Sequence, residues 1–299
     1  VLPNTVVNYL AIQPGQTIVD ATVGAGGHLQ LLARALGERG RLIALDRDPK
    51  MLDLAESVMR QSGPAKVPVS WIHAGFDNLR EILDEQQVEC VDAILADLGI
   101  CSDQLDQPER GLSFQVDGPL DMRLDQGHGR TAAQIINSAS ERELSDILWK
   151  YAEERFSRRI ARRIVAERHR APFRSTKELA DLVRRAVPRA GRYRIDPATR
   201  TFQALRIAVN DELGALERFL DQLGDCLRPG GRAAIISFHS LEDRLVKNEF
   251  RRRDRWQVLT RKPLSADDAE LQTNPRARSA KLRAARLQSL DDPEKRNDS

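Results

Sequence analysis

Three apolar runs that each end in an aspartate, Thr17-Ile-Val-Asp20, Arg41-Leu-Ile-Ala-Leu-Asp46 and Val91-Asp-Ala-Ile-Leu-Ala-Asp97, constrain the fold of this chain more than any other feature. Runs this short and this apolar read as strands covered on both faces. Between the first two lie a glycine turn, Gly24-Ala-Gly26-Gly27-His28, and a stretch with helical apolar spacing, Leu29 to Leu36, so residues 17 to 50 read as strand, turn, helix and strand. A helix from Pro49 to Met59 opens on a proline, which a first turn tolerates, and Val67 to Ile72 reads as a further strand. Strands alternating with helices predict an α/β fold around a doubly wound parallel sheet. Ligands of such a sheet lie beyond the carboxyl ends of its strands.

After Gly99 the pattern changes to a polar, turn-rich stretch, Cys101 to Gly129, and then to helix-like segments as far as Asn210. A helix from Glu153 to Arg170 would set Phe156, Ile160 and Ile164 on one stripe and leave Arg158, Arg159, Arg162 and Arg163 on the remaining surface. The α/β pattern resumes with a helix from Glu212 to Leu227, a turn at Arg228-Pro-Gly-Gly231 and a strand from Ala233 to Phe238. The expected organisation is therefore a split sheet domain, residues 1–105 and 210–299, interrupted by a helical substrate-recognition insertion, residues 106–209. The last dozen residues read as a frayed tail.

Charge is distributed unevenly. The chain carries a formal +3, yet Lys150 to Asn210 holds 17 Lys and Arg against 6 Asp and Glu, which leaves the rest net acidic. A block this long suits a polyanion, because each neutralised phosphate releases condensed counterions. Arg276, Arg278, Lys281, Arg283 and Arg286 form a second basic cluster near the C-terminus. No apolar run reaches the roughly 18 residues of a membrane span, and no signal peptide opens the chain, so the reading is a soluble intracellular protein. The cysteines, Cys90, Cys101 and Cys226, lack CxxC spacing and the five histidines lack ligand spacing. A protein-held metal is not expected.

The glycine turn narrows the cofactor. In the GxGxxG spacing of dinucleotide-binding proteins the third glycine would fall on Leu29, which disfavours a nicotinamide-dependent oxidoreductase. Asp20-x-Thr22-x-Gly24-x-Gly26 instead resembles the DxGxGxG loop of class I (Rossmann-like) methyltransferases, with Thr22 in place of the first glycine, and implies S-adenosyl-L-methionine as cofactor. Asp46, ending the second strand, fits the acid that accepts ribose hydroxyls in that class.

Four further stretches carry a more specific resemblance. Ala96 to Asp106, Arg110-Gly-Leu-Ser-Phe114 with Pro119 to Arg123, Pro197 to Leu213, and Ser237-Phe-His-Ser-Leu-Glu-Asp-Arg244 with Asn274 to Arg283 closely resemble the RsmH (MraW) family. The chain has Cys101 and Asp103 where that family usually has serine and proline. The resemblance implies methylation of the N4 amino group of a decoding-centre (P-site) cytidine in 16S (small-subunit) ribosomal RNA. It implies cofactor contacts at Gly26, Gly27, His28, Asp46, Phe76, Asp97 and Gln104. The implied partner is that RNA or the small ribosomal subunit, in the cytoplasm or, for an organellar chain, the mitochondrial matrix. Monomer and homodimer both stay open.

The chemistry of the implied reaction suggests further roles. A cytosine N4 lone pair is delocalised into the ring, so transfer needs acceptors for the amino protons and in-line alignment. DNA amino-methyltransferases place an (Asp/Asn/Ser)-Pro-Pro-aromatic motif at the end of the fourth strand, where this chain reads Asp97-Leu98-Gly99. Asp97 is the candidate acceptor, with Ser237, His239 and Asn210 as candidates for orienting the base or removing its proton. A non-catalytic ribosome-assembly factor on the same fold is the alternative from another class.

Overall fold

The computed structural model describes residues 1–61, 67–188 and 196–289. Most of the expected tail, and Arg189, Arg192 and Arg194 of the basic block, lie outside the described residues. The chain divides into two compact units, Val1–Gly99 with Leu213–Ser299, and Ile100–Glu212.

The first unit is built on a seven-stranded sheet of β1 (Thr17–Asp20), β2 (Arg41–Asp46), β3 (Val69–His73), β4 (Val91–Asp97), β5 (Leu227–Ser237), β6 (Trp256–Val258) and β7 (Lys281–Leu287). Their order is β3-β2-β1-β4-β5-β7-β6. The first five strands run parallel and β7 is antiparallel to both of its neighbours. This is the doubly wound class I sheet that the sequence implied. Alternate residues supply its two cores. Ile18, Leu42, Leu95 and Ile236 join one buried cluster, while Val19, Ile43, Ile94 and Ile235 join the other. From β1 the chain winds outward to β3 and then returns to β4 on the other side of β1, so the strand order reverses between β1 and β4. A crevice for a ligand opens at such a reversal.

Two expected elements differ. The turn at Arg228–Gly231 lies inside β5, where Val91 pairs with Leu227 but Ala93 pairs with Arg232. The surplus residues loop out as an irregularity, with Gly230 at φ 81°, and the strand continues past it. The helix expected from Glu153 begins only at Ser157 and runs to Arg168. Glu153 takes the left-handed conformation (φ 49°) that ends the preceding helix, Glu141–Ala152, and the buried Glu154 carboxylate accepts from the Phe156 N–H at 2.8 Å. Helical apolar spacing continues across this break because both helices bury the same kind of stripe.

The second unit is helical and has its own core, including Leu144, Leu148, Ile160, Ile164, Leu179, Val183, Phe202 and Leu205. Asn210 closes the helix Ala198–Asn210 and is buried. Its Oδ1 accepts from the Leu124 N–H (2.9 Å), and its Nδ2 donates to the carbonyls of Met122 (2.8 Å) and Arg206 (2.9 Å). The segment so held also depends on Gly111, which stands at φ 65° with its missing Cβ 2.1 Å from the Pro119 carbonyl oxygen. Replacing Gly111 by alanine combines left-handed strain with a backbone clash. We expect a loss of about 2 kcal/mol or more, read as a lowered midpoint in thermal unfolding, and an unchanged midpoint would contradict it.

Candidate cofactor and methyl-transfer site

The buried stretches of β1, β2, β4 and β5 just before their carboxyl ends are apolar (Ile18-Val19, Leu42 to Leu45, Ala93 to Ala96, Ala233 to Ile236), and the residues that end them are Asp20, Asp46, Asp97 and Ser237. After Asp20 the chain turns through Gly26 at φ 84°, where a Cβ would come within 3.2 Å of Ala55, and enters the helix Gly27–Leu36. The glycine is needed there for both its conformation and its closeness to the next helix. Gly27 differs. A Cβ on it meets nothing within 4 Å among the described residues, so backbone packing alone does not demand a glycine. Open space over the first N–H groups of a helix suits a polar ligand lying against the backbone.

The loop is tied to both neighbouring strands. Asp46 Oδ2 accepts from the Gly24 N–H and its Oδ1 from the Asp48 N–H, each at 2.8 Å. Every carboxylate oxygen accepts more than one donor, so these bonds orient Asp46 without exhausting it. Thr22, which stands where the class pattern has glycine, accepts through Oγ1 from the Asp97 N–H at 2.6 Å. The hydroxyl clasps the β1 loop to the end of β4. In the sequence Thr22 reads only as a departure from the class pattern, although a hydroxyl in a loop facing a neighbouring strand end is itself a signal.

Buried polar atoms gather at this clasp. His28 Nε2 lies 3.4 Å from Asp97 Oδ2, and His28 Nε2, Asp97 Oδ1 and Asp20 Oδ2 are buried without a hydrogen-bond partner. Groups like these cost free energy unless something supplies the missing donors. S-adenosylmethionine presents ammonium, ribose hydroxyl and adenine amino donors, which fit the Asp20 and His28 atoms and leave Asp97 Oδ1 for a donor from elsewhere. In the sequence Asp20 reads as part of the loop pattern and not as a site residue. Complete burial pushes its carboxyl up to about 7, opposed by His28 and the Thr22 N–H and reinforced by the negative charges of Asp97 and Asp46.

The other expected residues are placed as follows. Phe76 follows β3 and packs edge-on against Phe219, ring centroids 5.1 Å apart, leaving it only partly buried. Ser237 is buried at the end of β5, and its hydroxyl donates to the Lys281 carbonyl at 3.4 Å. His239 caps the helix Ser240–Phe250: its Nδ1 accepts from the Glu242 N–H, and Glu242 Oε2 accepts from the Phe238 and His239 N–H groups. Asp20, Gly26, His28, Asp46 and Asp97 are thus brought together around one turn, while Ser237 and His239 fix the backbone leaving β5. Gln104 and Asn210 belong to the second unit. The Gln104 side chain accepts there from the Cys101 N–H at 3.0 Å. The C-terminal basic cluster does not hold as one surface: Arg283 is buried on β7 and paired with Asp243 at 2.7 Å, whereas Arg276 and Arg278 are exposed.

Residues 1–288 match the model of the MraW methylase family. The chain belongs to that family. It is accordingly a methyltransferase, and the nicotinamide reading is set aside. Among its relatives, a protein of Gloeobacter violaceus is 51% identical over 286 residues, 95% of this chain and 86% of the relative. One of Geobacter sulfurreducens is 46% identical over 304 residues, 95% of this chain and 97% of the relative. One of a Cyanothece strain is 50% identical over 292 residues, 97% and 95% of the two chains. All three are named ribosomal RNA small subunit methyltransferase H.

The Asp20 carboxyl links stability to pH. Because its folded value exceeds the ordinary 3.8, its stabilising contribution is complete below about pH 4 and is lost as pH rises through about 7. Asp20→Asn removes the titration while keeping an oxygen for the Thr22 N–H. The variant is therefore expected to melt above the wild type at pH 8, with the difference shrinking at pH 5, in paired thermal unfolding scans; a pH-independent difference would show that Asp20 does not titrate in this range.

Proposed function

We propose that this chain uses S-adenosylmethionine to methylate the N4 amino group of a decoding-centre (P-site) cytidine in small-subunit ribosomal RNA. Family membership and the names of the relatives support the substrate class. The observation that carries the chemistry is the Asp97 carboxylate at the strand reversal, with Oδ1 buried and unpartnered. When bound, the cofactor supplies a methyl group on a sulfonium centre. Gly26, Gly27 and His28 would offer it backbone at the helix start, Asp46 would accept from its ribose hydroxyls, and Phe76 would pack against its adenine.

The residues of the chain do the rest. Asp97 Oδ1 accepts a hydrogen bond from the cytosine amino group, which favours a pyramidal nitrogen whose lone pair is available for transfer, and the proton stays on nitrogen until the methyl group has been transferred. His28, beside Oδ2, and Thr22, on the backbone N–H, hold that carboxylate in place. The proton shed after methyl transfer passes to Asp97 Oδ1 and on to solvent. Ser237 and His239 act by fixing the end of β5, and Asn210 by fixing the segment around Met122 and Leu124. The target nitrogen is on a base edge that pairing and stacking conceal, so the nucleotide is taken splayed out or from a locally open region.

The second unit supplies the grip on the RNA backbone through the helix Ser157–Arg168, where Arg158, Arg159, Arg162 and Arg163 are exposed. A substrate in the small ribosomal subunit places the reaction where ribosomes are assembled, in the cytoplasm or in the mitochondrial matrix. Among the described residues no helix is long and apolar enough to cross a membrane.

Mass spectrometry of small-subunit RNA nucleosides tests the substrate. Cells lacking the protein should lose N4-methylcytidine at one site, the wild-type gene should restore it, and Asp97→Asn should not; an unchanged nucleoside profile in the deletion strain would overturn the assignment. In vitro, affinity for the RNA should fall steeply with salt, and a flat dependence would remove the phosphate grip.

A further inference from the structure

The structure leaves one aromatic ring in solvent where a protein rarely leaves one. Among the described residues the exposed large apolar side chains are Val116, Trp149 and Val258, and Trp149 is 59% exposed. Tryptophan is highly buried on average, so an indole in water calls for a partner more than a lone valine does. No ring or cation of the described residues stacks on it; the neighbouring Lys150 lies instead over the Tyr151 ring, 5.1 Å from its centroid.

The position of Trp149 is set by two contacts within the second unit. Ser145, one turn earlier on the helix Glu141–Ala152, faces Ser157 at 3.4 Å, and Arg162 reaches back to Glu141 at 3.6 Å. The two helices are therefore antiparallel, and Trp149 lies one turn beyond the Ser145–Ser157 contact, toward the turn that joins them. That turn is firm. Glu153 closes the first helix, its carbonyl accepts from Arg200 at 3.4 Å, and Glu154 holds Phe156. Arg155 is exposed in the turn, and Arg158 and Arg159 are exposed in the first turn of the second helix. None of the described carboxylates pairs with these three arginines.

Charge decides what kind of surface would cover the indole. A second copy of this chain would bring the same arginines against these, and a neutral apolar partner would leave them unanswered. A nucleobase supplies a flat ring for the indole and phosphates on either side for the guanidinium groups.

We propose that Trp149 is a stacking platform for an unpaired base of the RNA substrate, with Arg155, Arg158, Arg159 and Arg200 receiving the flanking phosphates. This rests on the RNA-binding reading above and adds to it a ring contact that the phosphate grip does not need.

The test titrates the full chain into an end-labelled single-stranded RNA oligonucleotide and reads fluorescence anisotropy across a salt series. Trp149→Ala should weaken binding by about 5- to 150-fold and Trp149→Phe by no more than about 3-fold, since a phenyl ring still stacks. Trp149→Leu should fall with alanine, because it keeps apolar area but has no ring. All three should retain the wild-type salt slope, whereas Arg158→Glu with Arg159→Glu should flatten it. If the arginine pair weakens binding but Trp149→Ala does not, the platform is wrong and the phosphate grip stands. Leucine binding as well as phenylalanine would overturn the platform in favour of a plain apolar contact. If neither the arginine pair nor Trp149→Ala changes binding, the RNA reading fails and the platform with it.

Discussion

A parallel sheet covered on both faces has only its ends for polar side chains, and its carboxyl ends carry the loops that meet a ligand. In this chain the residues at three of those ends are acids. Asp20, Asp46 and Asp97 stand on adjacent strands, and the hydrogen bond from the Asp97 N–H to Thr22 draws the first loop onto the third of them. The buried strands hold the carboxylates near one another, which like charges in water would not choose. Complete burial is what chiefly raises the Asp20 carboxyl, and the field of Asp97 and Asp46 adds to it. A ligand bearing positive charge and hydrogen-bond donors relieves the same crowding, so a cost in the empty protein becomes a source of affinity.

The parts of this arrangement set by local pattern were legible in the sequence. β1, β2 and β4 are bounded as expected because each is a buried apolar run stopped by an acid, and the sheet class follows from their alternation with helices. The late start of the helix at Ser157 was not legible, since the stripe formed by Phe156, Ile160 and Ile164 continues through a turn that only the left-handed Glu153 and the buried Glu154 disclose. Arg283 reads as part of a basic cluster, but its partner Asp243 is on the helix Ser240–Phe250, and pairing between a strand and a helix so far apart in sequence is invisible to charge counting.

The candidate site was legible to a different depth. Glycines and strand-end acids announce themselves by spacing, so Gly26, Gly27, Asp46 and Asp97 could be named before any coordinates. Thr22 and Asp20 could not be ranked, because their importance lies in the hydrogen bond one makes and the burial the other suffers. For Asn210 and His239 the sequence displays residue types suited to orienting a base or, in the histidine, taking its proton, and the structure gives each a backbone to hold. Polar residues near a reaction often serve through the main chain they pin.

The division of the sheet across the chain has a consequence for its synthesis. β4 pairs with β5 in parallel, and β7 then lies against β5, yet the whole of the second unit is made between β4 and β5. While the second unit emerges, β4 has an open edge and one face of the first unit lacks the strands that complete it. The second unit is continuous in sequence and carries its own core, so its contacts do not depend on strands still to be made. Closure of the sheet waits on long-range pairing, the slow kind. A ribosome that stalls within the second unit thus displays an unfinished parallel sheet, and the strand that seals it is made only after that unit.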